Sequence, residues 1–111
     1  LDFFNKMDID GNGVIDACEA VWTLSFYADV SNSVIPSQYT GQEAWTWWVN
    51  NIHPDSHLNP NSFPDFNSNG CVDLIDPNLI ISYYSWVSTT NPQGLTGPQL
   101  MKMFRTQSLN N

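Results

Sequence analysis

The spacing of apolar and polar residues along the chain predicts a helical protein. Five stretches carry apolar residues at helical intervals, and the segments between them are rich in glycine, proline, asparagine and serine. The predicted helices span residues 1–7, 17–28, 41–52, 76–88 and about 97–107. We therefore expect an all-α fold of about five helices.

The apolar stripes of these helices indicate which residues form the core. Within residues 17–28 the stripe with i, i+4, i+7 spacing is Ala17, Val21, Leu24 and Ala28. The other expected core residues are Phe4, Met7, Leu79, Ile80, Tyr83, Trp86, Val87, Leu100, Met103 and Phe104. A chain of 111 residues is long enough for one domain with one modest core.

Polar residues that cap helices mark three of the predicted starts. Thr40 precedes the third helix and Glu43 follows three residues later, which is the spacing of a capping box. Asp76 is expected to cap the fourth helix, with Pro77 as its first residue. Thr96 is expected to cap the last helix.

The net charge of the chain is strongly negative. The chain has 3 Lys and Arg residues against 11 Asp and Glu residues, which gives a net charge of −8. A protein with so few basic groups cannot neutralise phosphates, so nucleic acid and anionic membrane surfaces are poor partners. No apolar run is long enough to span a bilayer, so we expect no membrane insertion.

The acidic residues concentrate in two windows, residues 8–19 and 65–76. Clustered negative charge is unfavourable unless a cation lies within it. Calcium takes six to eight oxygen ligands, and a twelve-residue loop supplies them from positions 1, 3, 5, 7, 9 and 12, with glycine at position 6. In residues 8–19, with Gly13 at position 6, the ligand positions hold Asp8, Asp10, Asn12, Val14 through its carbonyl, Asp16 and Glu19.

The second window keeps the same spacing with two departures. With Gly70 at position 6, its ligand positions hold Asp65, Asn67, Asn69, Cys71 through its carbonyl, Asp73 and Asp76. Position 12 is therefore Asp, whose side chain is one methylene shorter than that of Glu. In addition, the residues before this loop, NSFP, cannot form an entering helix. We expect two calcium sites, of which the second is weaker or tolerates Mg²⁺.

The first window resembles the loop of the EF-hand family over its entire length. The second window, a loop followed by a helix with none before it, is similar to a dockerin repeat. These resemblances imply that the loops pair through a short β bridge between their eighth residues, Ile15 and Val72. Residues 30–64, with their Trp-rich helix, would then be an insertion between two halves of one domain, residues 1–111.

Two cysteines, Cys18 and Cys71, lie one in each acidic window. If the windows pair in space, a disulfide can join these residues; the alternative is two free, half-buried thiols. The sequence leaves both alternatives open.

Three tryptophans lie close together in the third predicted helix. Trp45 and Trp48 share one face, which favours a core position for both, and Trp47 lies on another face. An exposed tryptophan here would suit a protein partner or, with less support, a sugar ring. No acid–base pair or positioned nucleophile is evident, so we do not expect an enzyme.

The function expected from these patterns is calcium binding by an extracellular structural or adhesion module. Metal would stabilise the fold, and the module would bind a protein partner or assemble with itself into a fibre or matrix. A surface of uncharged polar residues favours the secreted setting. The alternatives are a dockerin-like protein–protein interaction module and, ranked last, an intracellular calcium sensor with an opening groove.

Overall fold

Five helices form the regular structure of the computed structural model, which describes residues 2–90 and 94–109 and only the backbone of residues 2 and 109. The helices are α1 (Asp2–Met7), α2 (Ala17–Ser31), α3 (Gly41–Asn51), α4 (Ile75–Thr90) and α5 (Gly97–Leu109). The all-helical prediction is confirmed, and the described ranges contain no strand. The predicted bridge between Ile15 and Val72 is not found, since both residues lie in irregular backbone. Leu1, the first residue of the predicted helix 1–7, lies outside the described residues.

Helix α2 begins with a reciprocal pair of hydrogen bonds at the end of the first acidic window. The backbone N–H of Cys18 donates to Oδ1 of Asp16 at 2.9 Å, and the N–H of Asp16 donates to Oε1 of Glu19 at 2.8 Å. This capping box satisfies donors that have no partner within the helix. Glu19 therefore takes part in starting the helix as well as ending the loop.

Helix α4 begins in the same way, and the predicted cap is wrong. The N–H of Ile75 donates to Oδ1 of Asp73 at 2.9 Å, and the N–H of Asp73 donates to Oδ2 of Asp76 at 2.9 Å. Asp73 is thus the residue whose side chain caps the helix, and Asp76 lies inside the first turn. Pro77 fits there because that turn needs no N–H from it.

The starts of α3 and α5 differ from each other. Thr40 is the N-cap of α3, as predicted, but its side chain makes no capping hydrogen bond, so the expected box with Glu43 does not form. At α5 the N–H of Thr96 donates to Oε1 of Gln99 at 2.8 Å, and the N–H of Gln99 donates to Oγ1 of Thr96 at 3.3 Å. The predicted cap at Thr96 is confirmed.

Two clusters of buried side chains form the core. The first joins α1, α4 and α5 with parts of both loops, and its residues are Phe4, Met7, Ile15, Ala20, Phe66, Ile80, Tyr83, Leu100, Met101 and Phe104. The second joins α2, α3 and neighbouring loop segments, and its residues are Ile9, Phe26, Ile35, Ala44, Trp45, Trp48, Val49 and Leu58. Met103, predicted as a core residue, is 43% exposed, and its neighbour Met101 is buried instead.

Each cluster is in contact with apolar residues of both acidic loops. Ile15, at position 8 of the first loop, lies in the same cluster as Phe66, at position 2 of the second. Ile9, at position 2 of the first loop, lies in the other cluster, against which Val72 at position 8 of the second is packed. The two loops are therefore fixed relative to each other by side-chain packing and not by a strand pair.

The core stripe predicted for α2 is wrong. Val21 is 63% exposed and Leu24 is 47% exposed, while Ala20 and Phe26 are buried. Ala17 and Ala28, the other predicted stripe positions, are also exposed. The helix is rotated so that Glu19 and Thr23, both fully buried, lie on the inner face. The position of the loop decides this rotation, since it places Glu19 inside.

Residues 30–64 pack against the start of the chain. The N–H of Asn59 donates to the carbonyl of Ile9 at 2.6 Å, and the N–H of Phe63 donates to the carbonyl of Lys6 at 3.0 Å. The ammonium group of Lys6 donates to Oε1 of Gln42 at 2.6 Å and to the carbonyl of Asn61 at 2.8 Å. These long-range bonds hold α3 beside the first loop.

The tryptophans of α3 divide as predicted between core and surface. Trp45 and Trp48 are fully buried, and their indole N–H groups donate to the carbonyl of Asn59 at 2.9 Å and to Oδ2 of Asp29 at 2.8 Å. Trp47 is half-buried and stacks on Tyr39, with ring centroids 6.0 Å apart. The stacking on Tyr39 is a contact within the chain, so the predicted contact of a tryptophan with a protein partner or a sugar stays a prediction.

Candidate metal centre

The two acidic loops have the same backbone geometry at equivalent positions. In the first loop Gly11 and Gly13 have φ of 68° and 85°, and in the second Ser68 and Gly70 have φ of 57° and 91°. These are the fourth and sixth positions of each loop. Left-handed backbone there turns the chain sharply, so that several side chains and N–H groups face one point.

The first carboxylate of each loop is held by the glycine at position 6. The N–H of Gly13 donates to Oδ2 of Asp8 at 2.8 Å, and the N–H of Gly70 donates to Oδ2 of Asp65 at 2.7 Å. The loops therefore fold around their first residue in the same way.

The remaining polar side chains of the loops repeat one another too. At position 5, Asn12 accepts the N–H of Val14 at 3.1 Å and Asn69 accepts the N–H of Cys71 at 3.2 Å. With the caps described above, the hydrogen bonds match at positions 5, 9 and 12 of both loops. A repeat of local geometry at this detail follows from the repeat of spacing in the sequence.

In the first loop the structure brings three predicted ligands together. Oxygen atoms of Asp8, Asp10 and Glu19 all lie within 4.8 Å of one another. Asp8 is 6% exposed and Glu19 is 0% exposed. Of the predicted ligands, Asp16 is outside this group but is bonded to Glu19 through its N–H, and Asn12 and Val14 lie on the exposed side of the loop.

Two oxygens of this group are buried without a hydrogen-bond partner. They are Oδ1 of Asp8 and Oε2 of Glu19. A buried acceptor that has lost water and gained nothing is unfavourable by about 1–3 kcal/mol, and more when it carries charge. These are the atoms that positions 1 and 12 of a calcium loop direct at the ion.

Two acidic side chains of the first loop, Asp8 and Glu19, have pKa values above the usual range. Burial is the main cause that raises the pKa of Glu19 to about 9, and the nearby Asp10 adds to the rise. Burial also raises the pKa of Asp8, against the effect of its hydrogen bond from Gly13. Among the described residues, no cationic side chain shifts the pKa of either group, so negative charge here needs a proton or a metal cation.

The donor set suits a hard cation. Carboxylate and amide oxygens are the ligands that Ca²⁺ and Mg²⁺ prefer, whereas zinc and copper sites use His or Cys. The cluster contains neither His nor Cys. The oxygen ligands of Asp8, Asp10 and Glu19 therefore suit a hard cation of the calcium or magnesium type.

The last residue of the second loop, Asp76, differs from Glu19 in its hydrogen bonds. Asp76 is fully buried, but Oδ1 accepts the N–H of Phe66 at 2.8 Å and Oδ2 accepts the N–H of Asp73 at 2.9 Å. The atom left without a partner is instead Oδ1 of Asn67, at position 3. Burial raises the pKa of Asp76 to about 6, and the charge of Asp65 contributes.

Arg105 of α5 supplies a positive charge close to the second loop. Its Nη2 donates to Oγ of Ser68 at 3.0 Å, and its guanidinium lies 3.7 Å from the ring centroid of Phe3. Burial lowers the pKa of Arg105, and the negative charge of Asp65 opposes that effect. The sequence offered no signal for this contact, because α5 is distant from the loop along the chain.

The cysteines of the two loops are both free and exposed. The disulfide, one of the two alternatives that the sequence left open, is not formed. The thiols are also less buried than the other alternative expected. The negative charge of Asp16 is the main cause that raises the pKa of Cys18, which favours the unreactive thiol form.

Comparisons with family models, curated proteins and solved structures find no match for the chain. The resemblance to EF-hand and dockerin loops therefore rests on residues 8–19 and 65–76. Within the described ranges, no helix is both long enough and apolar enough to cross a membrane.

Proposed function

We propose that the chain is a calcium-binding module whose first loop, residues 8–19, is the principal site. The observation that carries the proposal is the pair of buried, unpartnered oxygens, Oδ1 of Asp8 and Oε2 of Glu19, within a compact group of carboxylates. A divalent cation placed between them would supply positive charge that no described side chain supplies to these carboxylates. Asp10, Asn12, Asp16 and the carbonyl of Val14 are the further ligands.

In this proposal the metal has a structural role. Glu19 belongs to the loop, to the cap of α2 and to the buried face of that helix. An ion bound to Glu19 would therefore stabilise the packing of α2 as well as the loop, since binding to the folded state alone favours folding. This coupling suits a calcium-stabilised structural or adhesion module outside the cell, where calcium is plentiful.

The second loop is proposed as a weaker site that tolerates Mg²⁺. Its ligands are Asp65, Asn67, Asn69, the carbonyl of Cys71, Asp73 and Asp76. An ion there competes with two N–H groups for the oxygens of Asp76 and with the charge of Arg105. Both effects reduce the gain in free energy on binding.

Isothermal titration with Ca²⁺, run on the intact chain, tests this proposal. We expect heat from one tight site and one weak site, and loss of the tight site in Glu19→Gln. Asp55→Asn is the matched control, because Asp55 is an exposed acid outside both loops. At calcium concentrations 100 times the dissociation constant, unfolding should require about 2.7 kcal/mol more than in chelator. Equal affinities of the wild type and Glu19→Gln would contradict the proposal.

A second candidate function is a dockerin-like protein–protein interaction module. The observation in its favour is an apolar surface between α2 and α4, the two helices that follow the loops. Exposed there are Val21 at 63%, Leu24 at 47%, Leu74 at 51% and Ile81 at 50%. If the chain binds a protein partner through this surface, the partner should protect α2 and α4 from hydrogen exchange more than the metal alone does.

A further inference from the structure

The surface between α2 and α4 is a groove that the single chain leaves uncovered. We call it the α2–α4 groove and define it by its exposed rim, Val21, Leu24, Leu74 and Ile81, and by its floor, Ala20 and Pro77. Its volume is about 320 Å³. Of the described residues that line it, Asn78 is the one with a polar side chain.

The α2 side of the groove contains three of the four residues of the predicted core stripe, Ala17, Val21 and Leu24. Ala17, Val21, Leu24 and Ala28 form a helical stripe that predicts burial, yet all four are exposed. Soluble chains seldom leave such a contiguous apolar stripe in water unless a partner covers it. The failure of the core prediction for α2 therefore marks an apolar surface that the single chain leaves exposed.

The groove is built from matching positions of the two loop–helix units. Ala20 and Pro77 directly follow the last residue of their loops, and Leu24 and Ile81 come four residues later. Each wall thus offers apolar side chains at the same places, one wall from α2 and one from α4. In a twofold dimer the same patch of each copy meets, so α2 of one copy can lie against α4 of the other with apolar residues at matching positions.

The groove is also free of the charge that would keep two copies apart. The chain has a net charge of −8, but α4 has a single charged residue, Asp76, and it is fully buried. In α2 the charged residues are Glu19, which is buried, and Asp29, whose Oδ2 accepts the indole N–H of Trp48. None of the described residues that line the groove is charged, and the nearest acids along the chain other than Glu19 and Asp76 are the half-buried Asp16 and Asp73, which precede the lining residues Ala17 and Leu74.

We propose that the α2–α4 groove is the interface of a symmetric homodimer. In it α2 and α4 of one copy pack against α2 and α4 of the other to give a four-helix core. Four rim side chains that are about half exposed, together with Ile75 at 51%, give each copy an apolar patch on the order of several hundred Å². Two such patches approach the ~1,000 Å² of total buried area that a specific interface needs.

Sedimentation velocity over a range of protein concentrations, in calcium buffer, is the first test. We expect a species of twice the chain mass of 12.6 kDa that grows with concentration. Leu24→Asp and Ile81→Asp should each raise the dimer dissociation constant at least tenfold, because each charge enters the interface twice. Met103→Asp is the matched control: Met103 is also apolar, helical and 43% exposed, but lies on α5.

The outcomes separate this proposal from the proposal of metal binding. A wild-type chain that stays monomeric at all concentrations overturns the dimer, as does a dimer that both groove variants leave unchanged. Calcium titration of the same variants should match the wild type, which shows that the loops are intact. A dimer that forms through the groove in a chain that binds no calcium would overturn the metal proposal and support this one.

Discussion

Oδ1 of Asp76 accepts the backbone N–H of Phe66 at 2.8 Å, so the last residue of the second loop fastens the second residue of that loop. The equivalent oxygen in the first loop, Oε2 of Glu19, has no partner. The same position thus has two roles. In the second loop both oxygens accept backbone N–H groups, and in the first one oxygen accepts the N–H of Asp16 while the other is buried without a partner.

Asp76→Asn should destabilise the protein even in chelator. The amide can offer one acceptor oxygen where the carboxylate offers two, so the N–H of Phe66 or of Asp73 loses its partner inside the fold. A buried donor left unsatisfied costs about 1–3 kcal/mol. Urea unfolding in chelator measures the loss, with Asp55→Asn as control. An unchanged midpoint would show that Asp76 acts as a ligand alone.

Glu19→Gln should reduce stability in calcium but not in chelator, in contrast to Asp76→Asn. In chelator we expect its stability to equal or exceed that of the wild type, because the substitution removes a buried acid from the vicinity of Asp8 and Asp10. In calcium it should lose most of the stabilisation that the ion gives the wild type. Thermal unfolding of the variant and the wild type in both buffers measures these two differences in stability. The same loss in chelator as in calcium would assign Glu19 to helix capping only.

Gly97 is expected to tolerate no side chain. A Cβ atom built there lies 2.6 Å from Cε2 and 2.7 Å from Cζ of Phe4, whose ring is buried in the first cluster. Gly97→Ala should therefore destabilise the protein by about 1–3 kcal/mol through overpacking.

Phe4→Leu provides the control for that effect, because a smaller side chain leaves room for the new methyl group. In the Phe4→Leu background the cost of Gly97→Ala should fall by at least half, measured by urea unfolding of all four proteins. Purely additive costs would place the effect in the backbone of α5 and not in its contact with α1.

Trp48→Phe should weaken the attachment of α3 to α2. The substitution removes a hydrogen bond to Asp29 and part of a fully buried ring system. We expect a loss of about 2–4 kcal/mol in the free energy of unfolding. Trp47→Phe is the matched control, since Trp47 is half-buried and stacks only on Tyr39 among the ring pairs of the described residues. Equal losses would contradict the assignment of Trp48 to the core.

The sequence was informative wherever structure depends on neighbours along the chain. The twelve-residue spacing predicted two loops of the same kind, and in both the first carboxylate accepts the N–H of the glycine five residues later. The helix bounds were also close: the last helix, predicted as about 97–107, is Gly97–Leu109. Turn geometry and helix starts depend on interactions within a few residues, so the local sequence is enough to predict them.

Long-range packing decided what the local pattern left open. The stripe at Val21 and Leu24 has helical spacing, but periodicity cannot show which way a helix is rotated when a loop places Glu19 inside. The free thiols of Cys18 and Cys71 likewise follow from where the loops lie in space.

The sequence by itself determined that this is an acidic, helical protein with two loops of calcium-ligand spacing. Only the tertiary structure decided that one loop keeps buried oxygens without partners, while in the other Asp76 is satisfied by backbone and Arg105 lies close by. The physical reason is that spacing fixes which groups converge, whereas burial and contacts from distant helices fix whether their charge is already balanced.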